Sequence, residues 1–122
     1  MDHRIQIITS RIEEQFTREL KISELARMVN VSASHLRHLF KSETGLTPTQ
    51  YLKRLRMQKA QALLETTFLS VKQISNEVGF SNDTYFSREF KKTYGVAPGR
   101  YRHLWKPTVS LITKRPIRQQ SQ

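Results

Sequence analysis

The amino-acid sequence predicts an all-α fold of about seven helices, in which two helix-turn-helix subdomains are joined by a long linker helix. Three observations lead to this prediction. The chain contains an internal repeat, each copy carries helix-start and helix-stop residues at matching positions, and the segment between the copies lacks glycine and proline beyond its first turn. The chain has 122 residues, a length that suits one domain or two very small ones.

The internal repeat is visible as apolar and turn residues that recur at a constant spacing. At a spacing of 49 residues the matching pairs are Ile22 with Val71, Leu25 with Ile74, Ala26 with Ser75, Val29 with Val78, and Val31 with Phe80. After one inserted residue the spacing is 50, and the pairs are Leu36 with Phe86, Phe40 with Phe90, Lys41 with Lys91, Gly45 with Gly95, Pro48 with Pro98, and Tyr51 with Tyr101. Two copies are too few for a solenoid, so the repeat indicates two copies of a small functional module.

The first unit is expected to be closed by a helix that precedes the repeat. One apolar stripe at helical spacing predicts this helix, and it is formed by Ile5, Ile8, Ile12 and Phe16. Ser23 and Ser32 are the expected N-caps of the next two helices. Asn30 is expected at the turn between them because Asn tolerates the left-handed conformation, and Gly45 ends the second helix.

The second unit has clearer boundaries. Ser70 and Gln73 stand in the spacing of a capping box and begin one helix. Gly79 suits the left-handed turn that ends this helix, and Gly95 ends the following one. A last helix is predicted from Pro98 to about residue 105 and would close the second unit.

A long helix is predicted between the two units. Thr47, Pro48 and Gln50 form another capping signal, and no glycine or proline follows until after Thr67. Such a helix of about 19 residues would be roughly 28 Å long. It has two apolar stripes, which are Leu52, Leu55 and Leu63 on one side and Met57, Ala60 and Leu64 on the other. A helix with two apolar stripes packs against two bodies, so this helix is expected to link the units.

The charge of the chain is strongly positive, with 21 Lys and Arg against 10 Asp and Glu, a net charge of +11. Residues 31–105 hold twelve basic and five acidic side chains, and residues 106–122 hold four basic and no acidic ones. A small basic domain favours a polyanionic partner, most commonly nucleic acid. The predicted organisation is a first subdomain at residues 1–46, the linker helix at 47–67, a second subdomain at 68–105, and a basic, flexible tail at 106–122.

The second helix of each unit has an apolar side and a polar side, because residues three and four apart share a face. Leu36 and Phe40 are expected in the first core, and Phe86 and Phe90 in the second. The polar stripe of the first unit consists of Ser34, Arg37, His38 and Lys41. The stripe of the second unit consists of Thr84, Ser87, Arg88 and Lys91, each 50 residues further along the chain.

A polar stripe on a rigid helix suits the major groove of DNA, where Arg binds guanine bidentately and short polar side chains bond base edges. Lys41 and Lys91, one turn further on, are expected to reach phosphates. Asn82 and Asp83, at the start of the second such helix, complete the candidate DNA-binding residues. One polar stripe alone is typical of any solvated helix, whereas two stripes in the same phase favour DNA binding. Two recognition helices about 34 Å apart would enter successive major grooves.

These motifs resemble the DNA-binding domain of the AraC/XylS family of bacterial transcription regulators, over about residues 5 to 105. The most specific part is the stretch "VGFSNDTYFSREFKKTYGVAPGRYR" at residues 78–102. The stretch "ISELARMVNVSASHLRHLFKSETGLTPTQYL" is similar to the looser first half of the family pattern, and the linker matches at Arg56, Ala60, Leu63 and Leu64. Ser75 is a departure, because the family usually has alanine at that position.

The resemblance implies sequence-specific binding to double-stranded promoter DNA and, most often, activation of transcription through contact with RNA polymerase. The two stripes differ and are joined in tandem, so one chain is expected to bind a bipartite site as a monomer. The first helix starts so early that no effector-binding domain is expected within the 122 residues, and the sequence leaves open whether they form a complete small regulator or the C-terminal part of a larger one. The sequence contains no long apolar segment that would indicate a membrane span or a signal peptide, which favours the cytoplasm.

The sequence favours DNA binding over other functional classes. The chain has no cysteine, which excludes disulfides, thiolate zinc sites and cysteine nucleophiles. His35 and His38 lack a third ligand at suitable spacing, and no nucleophile elbow or Gly-rich phosphate loop occurs, so no metal site, cofactor or enzyme activity is expected. An RNA-binding module would need exposed aromatic side chains for stacking, whereas Phe40, Phe86 and Phe90 are expected in the cores. A protein-interaction module is the other alternative, which the salt dependence of binding would distinguish.

Overall fold

The computed structural model describes residues 1–105, and that part of the chain contains seven helices and no strand. The helices are α1 (His3–Glu14), α2 (Ile22–Met28), α3 (Ala33–Thr44), α4 (Pro48–Thr66), α5 (Val71–Glu77), α6 (Asp83–Tyr94) and α7 (Pro98–Leu104). The predicted all-α fold is confirmed. The predicted flexible tail, residues 106–122, lies outside the described residues. None of the described helices is long and apolar enough to cross a membrane.

The helix starts follow the capping signals of the sequence in most places. The Ser32 hydroxyl accepts a hydrogen bond from the backbone N–H of His35, and complete capping boxes begin α4 and α5. The prediction for Ser23 is wrong, because α2 begins at Ile22 and Ser23 lies inside it. The repeat explains the error. The position equivalent to Ser70 is Lys21, whose side chain makes no capping bond.

The turns inside the two units have the predicted left-handed backbone. Asn30 has a φ of 59° and Gly79 a φ of 102°. Asn30 is the one residue other than glycine with a positive φ in the described part of the chain, which fits the tolerance of Asn for this conformation. Gly45 and Gly95 end α3 and α6, and their backbone N–H groups donate to the carbonyls of Lys41 and Lys91, both at 2.8 Å.

Two separate hydrophobic cores hold the fold. The first consists of Ile5, Ile8, Ile12, Leu25, Ala26, Leu36 and Phe40. The second consists of Met57, Ala60, Leu64, Ile74, Val78, Phe80, Phe86 and Phe90. The linker helix α4 packs its N-terminal half against the first core, through Tyr51, Leu52 and Leu55, and its C-terminal half against the second.

Two apolar residues pack against a different core from the predicted one. Leu63 was predicted on the stripe of Leu52 and Leu55, but it packs against the second core. Eight residues separate it from Leu55, and at about 100° per residue this turns its side chain by about 80° around the helix. Phe16 was predicted on the stripe of α1, but α1 ends at Glu14 and the Phe16 side chain packs against the second core. Helical periodicity does not apply beyond the last turn of a helix.

Candidate nucleic-acid interface

The predicted stripe of the first unit lies on the outer side of α3. Ser34, Arg37, His38 and Lys41 are all exposed, and they line one open surface groove together with Ser42 and Thr47. On the opposite side of α3, Leu36 and Phe40 are fully buried, as predicted. The Phe40 ring packs edge-on against Tyr51 of α4, with 5.4 Å between the ring centroids. The stripe is therefore presented on a helix that is anchored to the linker.

The predicted stripe of the second unit lies on α6 in the same phase. Thr84, Arg88 and Lys91 are exposed and Ser87 is half-buried. Phe86 and Phe90 are fully buried beneath them, as predicted. Their rings belong to a continuous aromatic cluster with neighbouring centroids 4.6 to 6.1 Å apart, whose other members are Phe80, Tyr85, Tyr94 and Tyr101. Tilted and edge-on aromatic contacts of this kind add to the burial energy and fix ring positions.

Asn82 and Asp83 lie at the N-terminal end of α6, before the stripe begins. The Asn82 side-chain oxygen accepts a hydrogen bond of 2.9 Å from the Tyr85 backbone N–H and caps the helix. Its amide nitrogen is left to donate elsewhere, because the side chain is exposed. Asp83 is exposed in the first turn, where the helix dipole favours a negative charge. A carboxylate there repels phosphate, and on DNA it can accept a hydrogen bond only from a base amino group such as that of cytosine.

Tyr85 supports the second stripe, and the sequence interpretation did not include it among the site residues. It is 41% exposed, and the guanidinium carbon of Arg88 lies 5.9 Å from the centroid of its ring. A cation above an aromatic face is attracted by the ring quadrupole, so Tyr85 holds Arg88 in position. The spacing of three residues between them was the available signal, because it places both on one helix face.

Glu89 is a second supporting residue that the sequence interpretation missed. Its side chain is 8% exposed, although it lies on a helix with a polar outer side. The Lys53 ammonium of α4 donates to one carboxylate oxygen, and the Lys92 ammonium lies 3.3 Å from the other. The hydrogen bond from Lys53 lowers the pKa of Glu89. Its position three residues after the buried Phe86 was the signal that Glu89 faces inward.

The sequence relationships agree with this geometry. A family model described as a helix-turn-helix domain matches residues 25–103. A transcriptional regulator from Chromobacterium violaceum, whose structure is described as containing an AraC-type DNA-binding domain, is similar at 30% identity. The similarity covers 82% of this chain and 89% of that one, with a TM-score of 0.75. The chain belongs to the AraC-type helix-turn-helix family.

Two further proteins are similar to this AraC-type chain. The DNA-binding domain of AdpA, a global transcriptional factor crystallised with a target DNA, has 25% identity and a TM-score of 0.77, covering 94% of this chain and 98% of that one. The Msm operon regulatory protein of Streptococcus mutans serotype c is 37% identical over 91 residues, which are 75% of this chain and 33% of that protein. The AraC-type chain thus spans about a third of the length of this curated relative. The predicted family is confirmed, and the chain is a DNA-binding domain of the transcription-regulator type.

Proposed function

We propose that the chain binds a bipartite double-stranded promoter site in a sequence-specific manner, with α3 and α6 in two successive major grooves on one face of the duplex. The observation that carries this proposal is the equal phase of the two polar stripes, each on a helix whose opposite side is buried. The linker helix between them has 19 residues and is about 28 Å long. That length is of the same order as one turn of DNA, about 34 Å.

In this proposal, residues 1–46 and 68–105 act as two reading subdomains on the linker at 47–67. Arg37 and Arg88, near the middle of the stripes, contact base edges, as do Ser34, His38, Asn82, Asp83, Thr84 and Ser87. Lys41 and Lys91 contact phosphates and set the position of each helix on the duplex. The stripes are not identical, since the repeat makes Arg37 equivalent to Ser87 and His38 equivalent to Arg88. One chain therefore reads two dissimilar half-sites about 10 bp apart as a monomer.

We further propose that binding activates transcription through contact with RNA polymerase. The family supports this step, because several relatives are named as activators, among them the lactose operon transcription activator of Staphylococcus xylosus. The measurement is transcription from a promoter that carries the bound site, with purified RNA polymerase and with the chain present or absent. Transcription that stays unchanged while the site is occupied would contradict activation by this chain.

Selection from a random duplex pool, followed by titration of the selected duplex, tests the binding proposal. We expect a non-palindromic optimum bound by one chain, with an affinity that exceeds that for a scrambled duplex by about 10³-fold or more. The affinity should fall with salt, by about 0.9 in the log–log slope for each phosphate neutralised. Equal affinity for selected and scrambled duplexes contradicts the proposal. Stronger binding to single-stranded RNA of the same sequence would favour an RNA-binding module instead.

A further inference from the structure

Arg56 lies near the middle of α4 and reaches back to the first unit. Its Nε donates a hydrogen bond of 2.6 Å to the backbone carbonyl of Phe16, and an Nη donates one of 2.9 Å to the carbonyl of Arg18. Both carbonyls belong to the segment between α1 and α2. Burial lowers the pKa of the Arg56 guanidinium. A half-buried guanidinium whose fork engages two carbonyls holds that segment in one place.

The same guanidinium also contacts the second unit. Its central carbon lies 5.6 Å from the centroid of the Phe80 ring, which is part of the second core. Gly79 packs so closely that a Cβ at this position would lie 2.9 Å from both Cζ and Nε of Arg56. The turn of the second helix-turn-helix unit is therefore shaped around this side chain. Arg56 is in contact with both units at once.

Phe16 completes the connection between the units. It follows α1 in the chain, yet its side chain packs against the second core. The Lys59 ammonium of α4 lies 5.7 Å from the centroid of the Phe16 ring. Side-chain packing and the two hydrogen bonds of Arg56 thus hold the α1–α2 segment against α4 and the second unit. Without such contacts, two small units on one helix would be free to shift relative to each other.

We propose that Arg56 is a specificity-determining residue that fixes the distance and rotation between α3 and α6, so that the domain discriminates between half-site spacings. This inference rests on the proposed function, in which both helices read the same duplex. One extra base pair between half-sites moves the second by about 3.4 Å and rotates it by about 35° around the DNA axis. A domain with rigidly connected units cannot follow this change and loses the base contacts of one helix.

The test is a spacing profile measured with duplexes derived from the one that the unsubstituted chain selects from a random pool. The derivatives carry one or two base pairs inserted or removed between the half-sites. Arg56→Met keeps most of the aliphatic volume and removes the hydrogen-bonding fork. Gly79→Ala keeps the arginine and its charge but places a Cβ against the guanidinium, and it also strains the turn at its φ of 102°, so Arg56→Met carries the decision and Gly79→Ala supports it. Arg54→Met, at an exposed position of the same helix, is the matched control for loss of charge. A thermal melt of each variant defines the temperature at which all are folded.

The unsubstituted chain and Arg54→Met should lose about 100-fold in affinity or more when the spacing changes by one base pair, since several base contacts are lost together. Arg56→Met and Gly79→Ala should bind the selected duplex about tenfold more weakly, yet vary by less than about fivefold across the spacings. A purely stabilising role would weaken all duplexes equally. An Arg56→Met variant with the spacing profile of the unsubstituted chain overturns the inference. An unsubstituted chain that does not distinguish selected from scrambled DNA overturns the proposed function itself.

Discussion

The Lys53 ammonium donates a hydrogen bond to the carboxylate of Glu89, which joins the linker helix α4 to the inner side of α6. Lys92 contacts the same carboxylate from α6 itself. In the first unit the repeat places Leu39 at the equivalent position, so α3 has an apolar residue where α6 has an ion pair. Helix α6 is therefore attached to the linker helix by a contact that depends on the ionisation of one carboxyl group.

The first prediction concerns this dependence on pH. The pKa of Glu89 is lowered from its ordinary value of 4.5, chiefly by the hydrogen bond from Lys53. On acidification the unfolded chain takes up this proton before the folded chain does, so falling pH favours unfolding. The stabilisation from Glu89 is complete above the ordinary carboxyl pKa and is lost as the pH falls through the lowered one. We expect Glu89→Gln to lack this pH-dependent stabilisation, which melting temperatures measured between about pH 7 and pH 3 would show.

Glu77→Gln provides the control for this measurement, because it removes the same charge from an exposed position on α5. The difference in melting temperature between the unsubstituted chain and Glu89→Gln should narrow as the pH falls, since both proteins then lack a charged group at position 89. If the difference in melting temperature between the two proteins stays constant across the range, the Lys53–Glu89 pair does not carry the pH dependence.

The second prediction uses the repeat to test a buried hydroxyl. Ser75 is 1% exposed and its hydroxyl has no hydrogen-bond partner, whereas its counterpart in the first unit is Ala26, which is 2% exposed. A buried unpaired hydroxyl costs about 1–3 kcal/mol. Ser75→Ala should therefore raise the free energy of unfolding by about 1 kcal/mol, and Ala26→Ser should lower it by a similar amount. Denaturant titration measures both. Destabilisation by Ser75→Ala would mean that the hydroxyl has a partner in solution.

The third prediction concerns the support of Arg88 by Tyr85. If the ring positions the guanidinium for a base contact, Tyr85→Ala should weaken specific DNA binding by about 0.5–1 kcal/mol. The loss should be smaller once Arg88 is already alanine, which a double-mutant cycle measures as a coupling energy. Combining Tyr85→Ala with Arg37→Ala serves as control, because these residues lie in different units and their effects should add. Additive effects of Tyr85 and Arg88 would contradict the supporting role.

The fourth prediction tests the buried aromatic side of α6. Phe86 and Phe90 are fully buried, and replacing either by alanine should cost about 3–5 kcal/mol of stability through the cavity left behind. Phe68 is the matched control, because its side chain is completely exposed and its replacement by alanine should leave the melting temperature nearly unchanged. The melting temperatures of the Phe86→Ala, Phe90→Ala and Phe68→Ala variants measure this difference. Equal effects of Phe68→Ala and Phe86→Ala would show that the second core is not formed as described.

The sequence predicted what depends on near neighbours in the chain. The capping boxes at Ser70 and Thr47, the turn at Asn30 and the burial of Phe86 follow from contacts within about four residues, which local patterns record. The error at Ser23 was one of local capping and that at Leu63 one of helical phase, whereas the omitted contacts of Arg56 and Glu89 join distant segments. Arg56 meets Phe16 across 40 residues, and Lys53 meets Glu89 across 36. No periodicity within one helix contains that information, because it depends on how the helices pack.

The candidate DNA-binding residues show the same distinction between local patterns and long-range contacts. Helical phase was enough to place both polar stripes on the exposed sides of α3 and α6. Glu89 required the packed structure, since its partner Lys53 lies on another helix. The pairing of Tyr85 with Arg88 lies on one face of α6, so helical spacing alone could have indicated it. The roles of the stripe residues in DNA binding stay predictions, and they differ from residue to residue in ways that titration can separate.

The last prediction distinguishes residues that read bases from residues that position the helix. Arg37 and Arg88 lie in the middle of the two stripes, and changing either to alanine should cost about 1–3 kcal/mol on the selected duplex and relax preference at one or two base pairs. Lys41 and Lys91 lie one turn further on, where a groove-inserted helix meets the backbone. Changing either to alanine should weaken all duplexes alike and lower the salt slope by about one.

Titration of each variant on selected and scrambled duplexes at several salt concentrations measures this difference. For the lysine variants, the ratio of the two affinities should stay that of the unsubstituted chain, because phosphate contacts carry no sequence information. For the arginine variants, the ratio should fall about tenfold or more, because a bidentate contact to guanine is lost only on the selected duplex. If Arg37→Ala and Arg88→Ala weaken both duplexes by the same factor, the base-reading surface lies elsewhere on α3 and α6. The equal phase of the stripes would then reflect only the shared packing of two repeated units. The rotation of each helix is fixed by its buried residues, Leu36 and Phe40 in α3 and Phe86 and Phe90 in α6, whether or not its outer side contacts DNA.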